Sequence, residues 1–129
     1  MVTYDPEEEP DRHAWLQAPE RDRILAVERW HTLAKLSLPR ETAHAVFHVI
    51  VENQLAEGLE SVSRAIPRLM AEGLSRHDAI HAVGWVLASY IHEMLLAPQA
   101  TNQRDSVQAR YDADVERLTA QAWREQASQ

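Results

Sequence analysis

Two pairs of histidines, each pair four residues apart, constrain this sequence more than any other feature. The first pair is His44 and His48, with Glu52 four residues further on; the second pair is His77 and His81. On an α-helix a four-residue step advances about 40° around the axis and roughly 6 Å along it, so each pair stacks on one face. Two imidazoles placed in this way can chelate one metal ion, provided that both segments are helical.

The apolar pattern predicts that both segments are helical. Apolar residues recur at three- and four-residue steps, and we find no strand-like alternation. Gly58 and Gly73 are placed to end two helices, and Ser75 is placed to cap the next one, with Asp78 at its third position. The predicted helices run over about 19–36, 37–57, 59–72, 75–96 and 105–125. We therefore expect an all-α fold, a compact bundle of about five helices.

Length and composition indicate how the chain is divided. At 129 residues it can bury about two thirds of its unfolded surface, which is enough for one core. The first 17 residues hold two prolines and a run of acids, with little apolar content before Trp15. We expect residues 1–17 to form an acidic, flexible arm and residues 18–129 to form a single helical domain.

The charge of the chain limits its partners. The net charge is −7 and the basic residues do not cluster, so nucleic acid and anionic membrane surfaces are not expected partners. No apolar run approaches the ~20 residues of a membrane span. The absence of cysteine and the acidic N-terminus, the reverse of a signal peptide, favour a cytoplasmic protein. We also expect the chain to form a homodimer. The sequence does not identify a small-molecule substrate.

Side-by-side packing of the two helices would bring five metal ligands together: His44, His48, Glu52, His77 and His81. Nitrogen and oxygen ligands of this kind suit a divalent transition metal such as zinc, iron or manganese. Glu52 lies about 12 Å along the helix from His44, too far for both to bind one ion easily. It could bind a second metal, accept a hydrogen bond from a ligating ring, or act catalytically as a base on metal-bound water.

Two alternatives stay open at this point. The chemistry could be hydrolytic or redox, depending on the metal. Alternatively the chain is a metal-free interaction module, a homodimer whose histidines form a buried hydrogen-bonded network. It is also open whether His31 and His92 belong to the site, although His92 is about 16 Å along the helix from His81 and cannot share its ion.

The histidine segments resemble an uncharacterised bacterial family, a domain of unknown function. Its members share the pattern H-x3-H-x3-E-x-Q followed by H-[DE]-A-x-H, which this chain matches at residues 44–54 and 77–81. The resemblance covers residues 39–96 and implies a small helical protein without an established activity. Trp85 and Ser89 occupy positions at which we expect acidic residues in some relatives. The lack of acids at these positions argues against a carboxylate-rich second metal position.

The dipeptide His77-Asp78 is also similar to the motif of the HD-type metal-dependent phosphohydrolases. Those helical enzymes hold a divalent metal with a histidine, a His-Asp pair and a later aspartate. In this chain the resemblance assigns the first role to His44 or His48 and the last to Asp112 or Asp114. The capping position of Asp78 offers a structural explanation for the same residue.

Overall fold

The computed structural model describes residues 3–33, 41–96 and 104–127. These residues form seven helices and no strand, so the all-α prediction is confirmed, with more helices than the five expected. The helices are α1 (Arg12–Gln17), α2 (Glu20–Leu33), α3 (Glu41–Ala56), α4 (Glu60–Ala71), α5 (Arg76–Leu96), α6 (Arg104–Arg117) and α7 (Ala120–Ala127).

Two side-chain caps account for the additional helices. Asp11 accepts a hydrogen bond from the backbone of Ala14 at 2.9 Å and so begins α1, a six-residue helix inside the acidic N-terminal stretch. The helix predicted over 105–125 is divided at residues 118–119. There the Thr119 hydroxyl accepts from the backbone of Ala122 at 3.1 Å and starts α7 anew.

Two glycines end α3 and α4, as predicted. Gly58 and Gly73 have φ angles of 78° and 107°, in the left-handed region that favours glycine. In each turn the residue after the glycine donates back to a carbonyl of the last helical turn. Leu59 donates to Gln54 at 2.9 Å and Leu74 to Leu69 at 3.1 Å, which satisfies carbonyls that have no partner within the helix.

Contacts divide the chain into two compact units, residues 1–59 and 60–129. In the first unit α3 packs against both α1 and α2. Six buried residues form a cluster in its core: Tyr4, Trp15, Ala26, Val27, Ala45 and Val49. The N-terminal stretch thus contributes two aromatic side chains to a core. The predicted division into a flexible arm and one domain stays a prediction.

The second unit is built by α4 to α7. Buried side chains from each helix form its interior, with Leu69, Val83, Val115 and Ala120 all at most 2 % exposed. Arg68 of α4 donates to the Val115 carbonyl at 3.0 Å and also to the Leu118 carbonyl. A cation at the C-terminal end of α6 is favourable because the last carbonyls there lack helical partners.

The described helices include none that is long and apolar enough to cross a membrane. The longest, α5, has 21 residues, but its sequence includes three histidines, an arginine and two acids. Charged groups of this kind are costly in a bilayer interior.

Candidate metal centre

The first histidine pair lies on α3, in the first unit. The ring centroids of His44 and His48 are 4.8 Å apart and the ring planes are inclined by 53°. His48 is 2 % exposed, whereas His44 is only partly buried. The four-residue spacing therefore places both imidazoles on one face of the helix, as predicted, with one ligand nitrogen of each within 4.8 Å of the other.

The second pair lies in the first two turns of α5, in the second unit. The ring centroids of His77 and His81 are 4.2 Å apart, and both side chains are partly buried. The predicted cap is confirmed, since the Ser75 hydroxyl accepts from the backbone of Asp78 at 3.0 Å. The cap fixes the start of the helix and so places His77 in its first turn.

His44 and His48 in the first unit, and His77 and His81 in the second, are each a pair of side chains that could hold a metal ion, each through one ring nitrogen. The donors are all imidazoles. Imidazole suits zinc, copper, iron and nickel, whereas magnesium and calcium prefer oxygen. The chemistry of this donor set therefore fits a transition metal and does not fit an alkaline-earth ion.

Glu52 lies on α3 one turn after His48 and is 1 % exposed. Its Oε2 atom accepts a hydrogen bond from the Tyr4 hydroxyl at 2.8 Å, and the same hydroxyl lies 3.1 Å from His48 Nδ1. The Tyr4 ring meets the His48 ring edge-on, with centroids 5.9 Å apart. Tyr4 therefore connects the carboxylate to a candidate ligand. The predicted roles of Glu52 as metal ligand or catalytic base stay predictions.

Further contacts hold the segment that carries Tyr4. The Trp15 ring packs against Tyr4 with centroids 5.7 Å apart, and its indole N–H donates to Asn53 Oδ1 at 2.8 Å. Arg23 donates to the same Asn53 oxygen at 2.8 Å and to the carbonyls of Leu16 and Ala18. The Asn53 side chain of α3 thus accepts hydrogen bonds from both α1 and α2.

Tyr4 is the residue that sequence reasoning missed. It lies in the stretch expected to be a loose arm, and its contacts with His48 and Glu52 span 44 and 48 residues of sequence. The available signal was an aromatic side chain, followed by Trp15, within an otherwise acidic segment. Aromatic residues carry a large area of apolar surface that favours burial.

Tyr4 and Trp15 also line a cleft of about 760 Å³ in the first unit. Five carboxylates contribute to its wall: Asp5, Glu8, Glu9, Asp11 and Asp22. The electrostatic potential of such a cleft attracts cations and repels anions.

The aspartates of the HD-type arrangement make contacts that explain them without a metal. Asp78 is exposed. Asp112 accepts from the Ser61 hydroxyl at 2.8 Å, and Asp114 accepts from Tyr90 and from Arg117. The candidate group consists of histidines alone. These contacts therefore give the phosphohydrolase arrangement no support.

The structure describes the side chain of His92 but not that of His31. His92 is exposed on α5, so the structure does not place it in a core. His31 lies in α2, but its side chain is outside the part of the chain that the structure describes. The membership of His31 in the site stays an open prediction.

A tryptophan lies beside the second histidine pair. The Trp123 ring is edge-on to His81, with centroids 6.4 Å apart, and Trp85 lies 6.3 Å from Trp123. Trp123 therefore lies close enough to His81 for its environment to change if His81 binds a metal.

Comparisons with protein-family models, with curated proteins and with solved structures found no match to this chain. The resemblance to the bacterial family of unknown function accordingly stays a prediction.

Proposed function

We propose that this chain is a metal-binding protein whose ligands His44, His48, His77 and His81 share one divalent transition-metal ion. The observation that carries the proposal is that each of two helices presents a pair of histidines on one face, each side chain able to hold a metal through a ring nitrogen. Four neutral imidazoles complete the tetrahedral shell that zinc prefers, and iron or manganese are the other candidates. Zinc is the first choice because four imidazoles match its preference for four tetrahedral ligands.

The number of bound histidines decides the chemistry. Four protein ligands close a tetrahedral site, which favours a structural or electron-transfer role. Two or three ligands leave a position for water, whose pKa a bound zinc ion lowers to about 7. In such an open site, Glu52 is the proposed acceptor of the water proton. Iron or manganese held by the same residues would instead support redox chemistry.

The test is elemental analysis of the untagged protein beside variants that remove one histidine pair at a time. The variants are His44→Ala/His48→Ala and His77→Ala/His81→Ala, with the cross-pair variant His44→Ala/His77→Ala. His92→Ala is the matched control, because it removes an exposed histidine from the helix that carries the second pair. We expect one ion per chain in the wild type and in the control, and none in any of the three double variants.

Each other outcome has a definite meaning. If removal of one pair leaves a full equivalent of metal on the other pair, the two pairs bind separately and the shared site is wrong. If the wild type holds no metal after incubation with zinc and with ferrous iron, the metal proposal is wrong as a whole. In the supporting case, a change in the tryptophan fluorescence of the protein should accompany binding and saturate at one ion per chain.

A second candidate is a metal-free interaction module, a homodimer in which the histidines stabilise a polar interior. The observation that favours it is that Tyr4, His48 and Glu52 are joined by hydrogen bonds that require no ion. This candidate predicts that histidine replacement lowers the free energy of unfolding while the metal content stays at zero. Sedimentation analysis of the wild type tests the dimer directly.

A further inference from the structure

We infer that Tyr4 is a positioning residue that fixes which nitrogen of His48 is available to the metal. The inference rests on the proposed metal site and deepens it. It starts from the position of the Tyr4 hydroxyl, which lies 2.8 Å from Glu52 Oε2 and 3.1 Å from His48 Nδ1. Both distances are within hydrogen-bonding range.

The hydroxyl has a single hydrogen to donate. The Tyr4 hydroxyl donates this hydrogen to Glu52 Oε2. The second bond must then be donated by His48, which places the ring hydrogen on Nδ1. In a neutral imidazole only one nitrogen carries hydrogen, so the lone pair is on Nε2. Tyr4 and Glu52 together therefore select Nε2 of His48 as the metal ligand.

Burial makes this selection rigid. Glu52 and His48 are 1 % and 2 % exposed, and Tyr4 is 8 % exposed, so solvent competes little for these bonds. The Tyr4 ring is held between Trp15 and His48, with centroid distances of 5.7 and 5.9 Å. Metal-ligating histidines commonly donate the N–H of their other ring nitrogen to a nearby acceptor, and loss of that acceptor typically costs about 10–100-fold in metal affinity.

The variant that isolates this role is Tyr4→Phe, because it removes the hydroxyl and keeps the ring. Tyr90→Phe is the matched control. Tyr90 is also 8 % exposed and its hydroxyl also donates to a carboxylate, that of Asp114, but it lies in the second unit. Both proteins are compared with wild type by circular dichroism, by zinc titration against a chromophoric chelator, and by long-range ¹H–¹⁵N correlation of the histidine rings without metal.

We expect the wild-type spectrum to show His48 with its hydrogen on Nδ1. Tyr4→Phe should keep its helical content, lose this single tautomer at His48, and bind zinc about 10–100-fold more weakly. Tyr90→Phe should leave both readouts unchanged. A merely structural role of Tyr4 would lower stability without moving the tautomer.

The inference is wrong if His48 carries its hydrogen on Nε2 in the wild type, or keeps it on Nδ1 in a folded Tyr4→Phe protein. Failure of the proposed function is a separate result, namely a wild type that binds no zinc. In that case the tautomer measurement, which needs no metal, still decides the role of Tyr4.

Discussion

The Tyr4 hydroxyl donates to Glu52 over 2.8 Å and thereby joins two residues that are 48 positions apart in the sequence. The contact gives a buried carboxylate a hydrogen-bond donor, and unpaired buried polar groups are costly. It also connects an acidic N-terminal stretch to the helix that carries the first histidine pair. The stability of the first unit and the orientation of His48 are therefore expected to depend on the same few atoms.

Glu52→Ala should destabilise the first unit. The substitution leaves the buried Tyr4 hydroxyl without this acceptor, which costs about 1–3 kcal/mol of unfolding free energy. Urea denaturation followed by circular dichroism measures the change. Glu57→Ala is the control, since Glu57 is exposed just beyond the end of α3 and its replacement should change little. Equal effects of the two substitutions would contradict the importance of the buried contact.

Asn53 is expected to hold the N-terminal segment in place. Asn53→Ala removes the acceptor of both the Trp15 indole and Arg23, each at 2.8 Å, and should cost about 1–3 kcal/mol because Trp15 is buried. Limited proteolysis should then cut within residues 3–18 faster. Asn53→Asp keeps an acceptor oxygen and adds an ion pair with Arg23, so it should remain close to wild type. Identical proteolysis of the two variants would rule out the amide as the anchor.

The contact between Tyr90 and Asp114 should make stability depend on pH at both extremes. The Tyr90 hydrogen bond holds the pKa of Asp114 below its ordinary value of 3.8, with a further contribution from Arg117. Burial, followed by the bond to Asp114, raises the pKa of Tyr90 above its ordinary value of 10.0.

The direction of each effect follows from linkage. The lowered pKa of Asp114 contributes stability above pH 3.8 that is lost as the pH falls further. The raised pKa of Tyr90 contributes stability below pH 10.0 that is lost as the pH rises through its folded value. Tyr90→Phe should therefore flatten the profile of unfolding free energy at both ends. If Tyr90→Phe keeps the wild-type pH dependence of the unfolding free energy at both ends, other titratable groups determine that dependence.

Substitutions at the capping contact of α5 distinguish a structural role of Asp78 from a catalytic one. Ser75→Ala removes the hydroxyl that accepts from the Asp78 backbone and should cost about 1 kcal/mol of stability. Asp78→Asn should leave the metal content unchanged, because the side chain is exposed and the candidate ligands are histidines. Loss of metal in Asp78→Asn, measured by elemental analysis, would instead favour the phosphohydrolase arrangement.

Local features of the fold could be predicted because they depend on neighbours in sequence. The helix ends at Gly58 and Gly73 and the cap at Ser75 were all predicted, and each follows from backbone geometry within a few residues. The division between α6 and α7 was missed, because the cap at Thr119 interrupts an apolar pattern that continues across it. A periodic pattern indicates which face is buried but does not show where the backbone turns.

The sequence by itself determined the two chelating pairs. With 3.6 residues per turn, a four-residue spacing places His44 next to His48, and His77 next to His81, on one face once the two segments are helical. Only the tertiary structure decided that Tyr4 lies against His48 and Glu52. That contact spans more than forty residues, and it forms because α1 and α2 fold the N-terminal stretch back onto α3 and bury its aromatic rings. Long-range hydrogen bonds of this kind depend on packing, for which no local spacing rule exists.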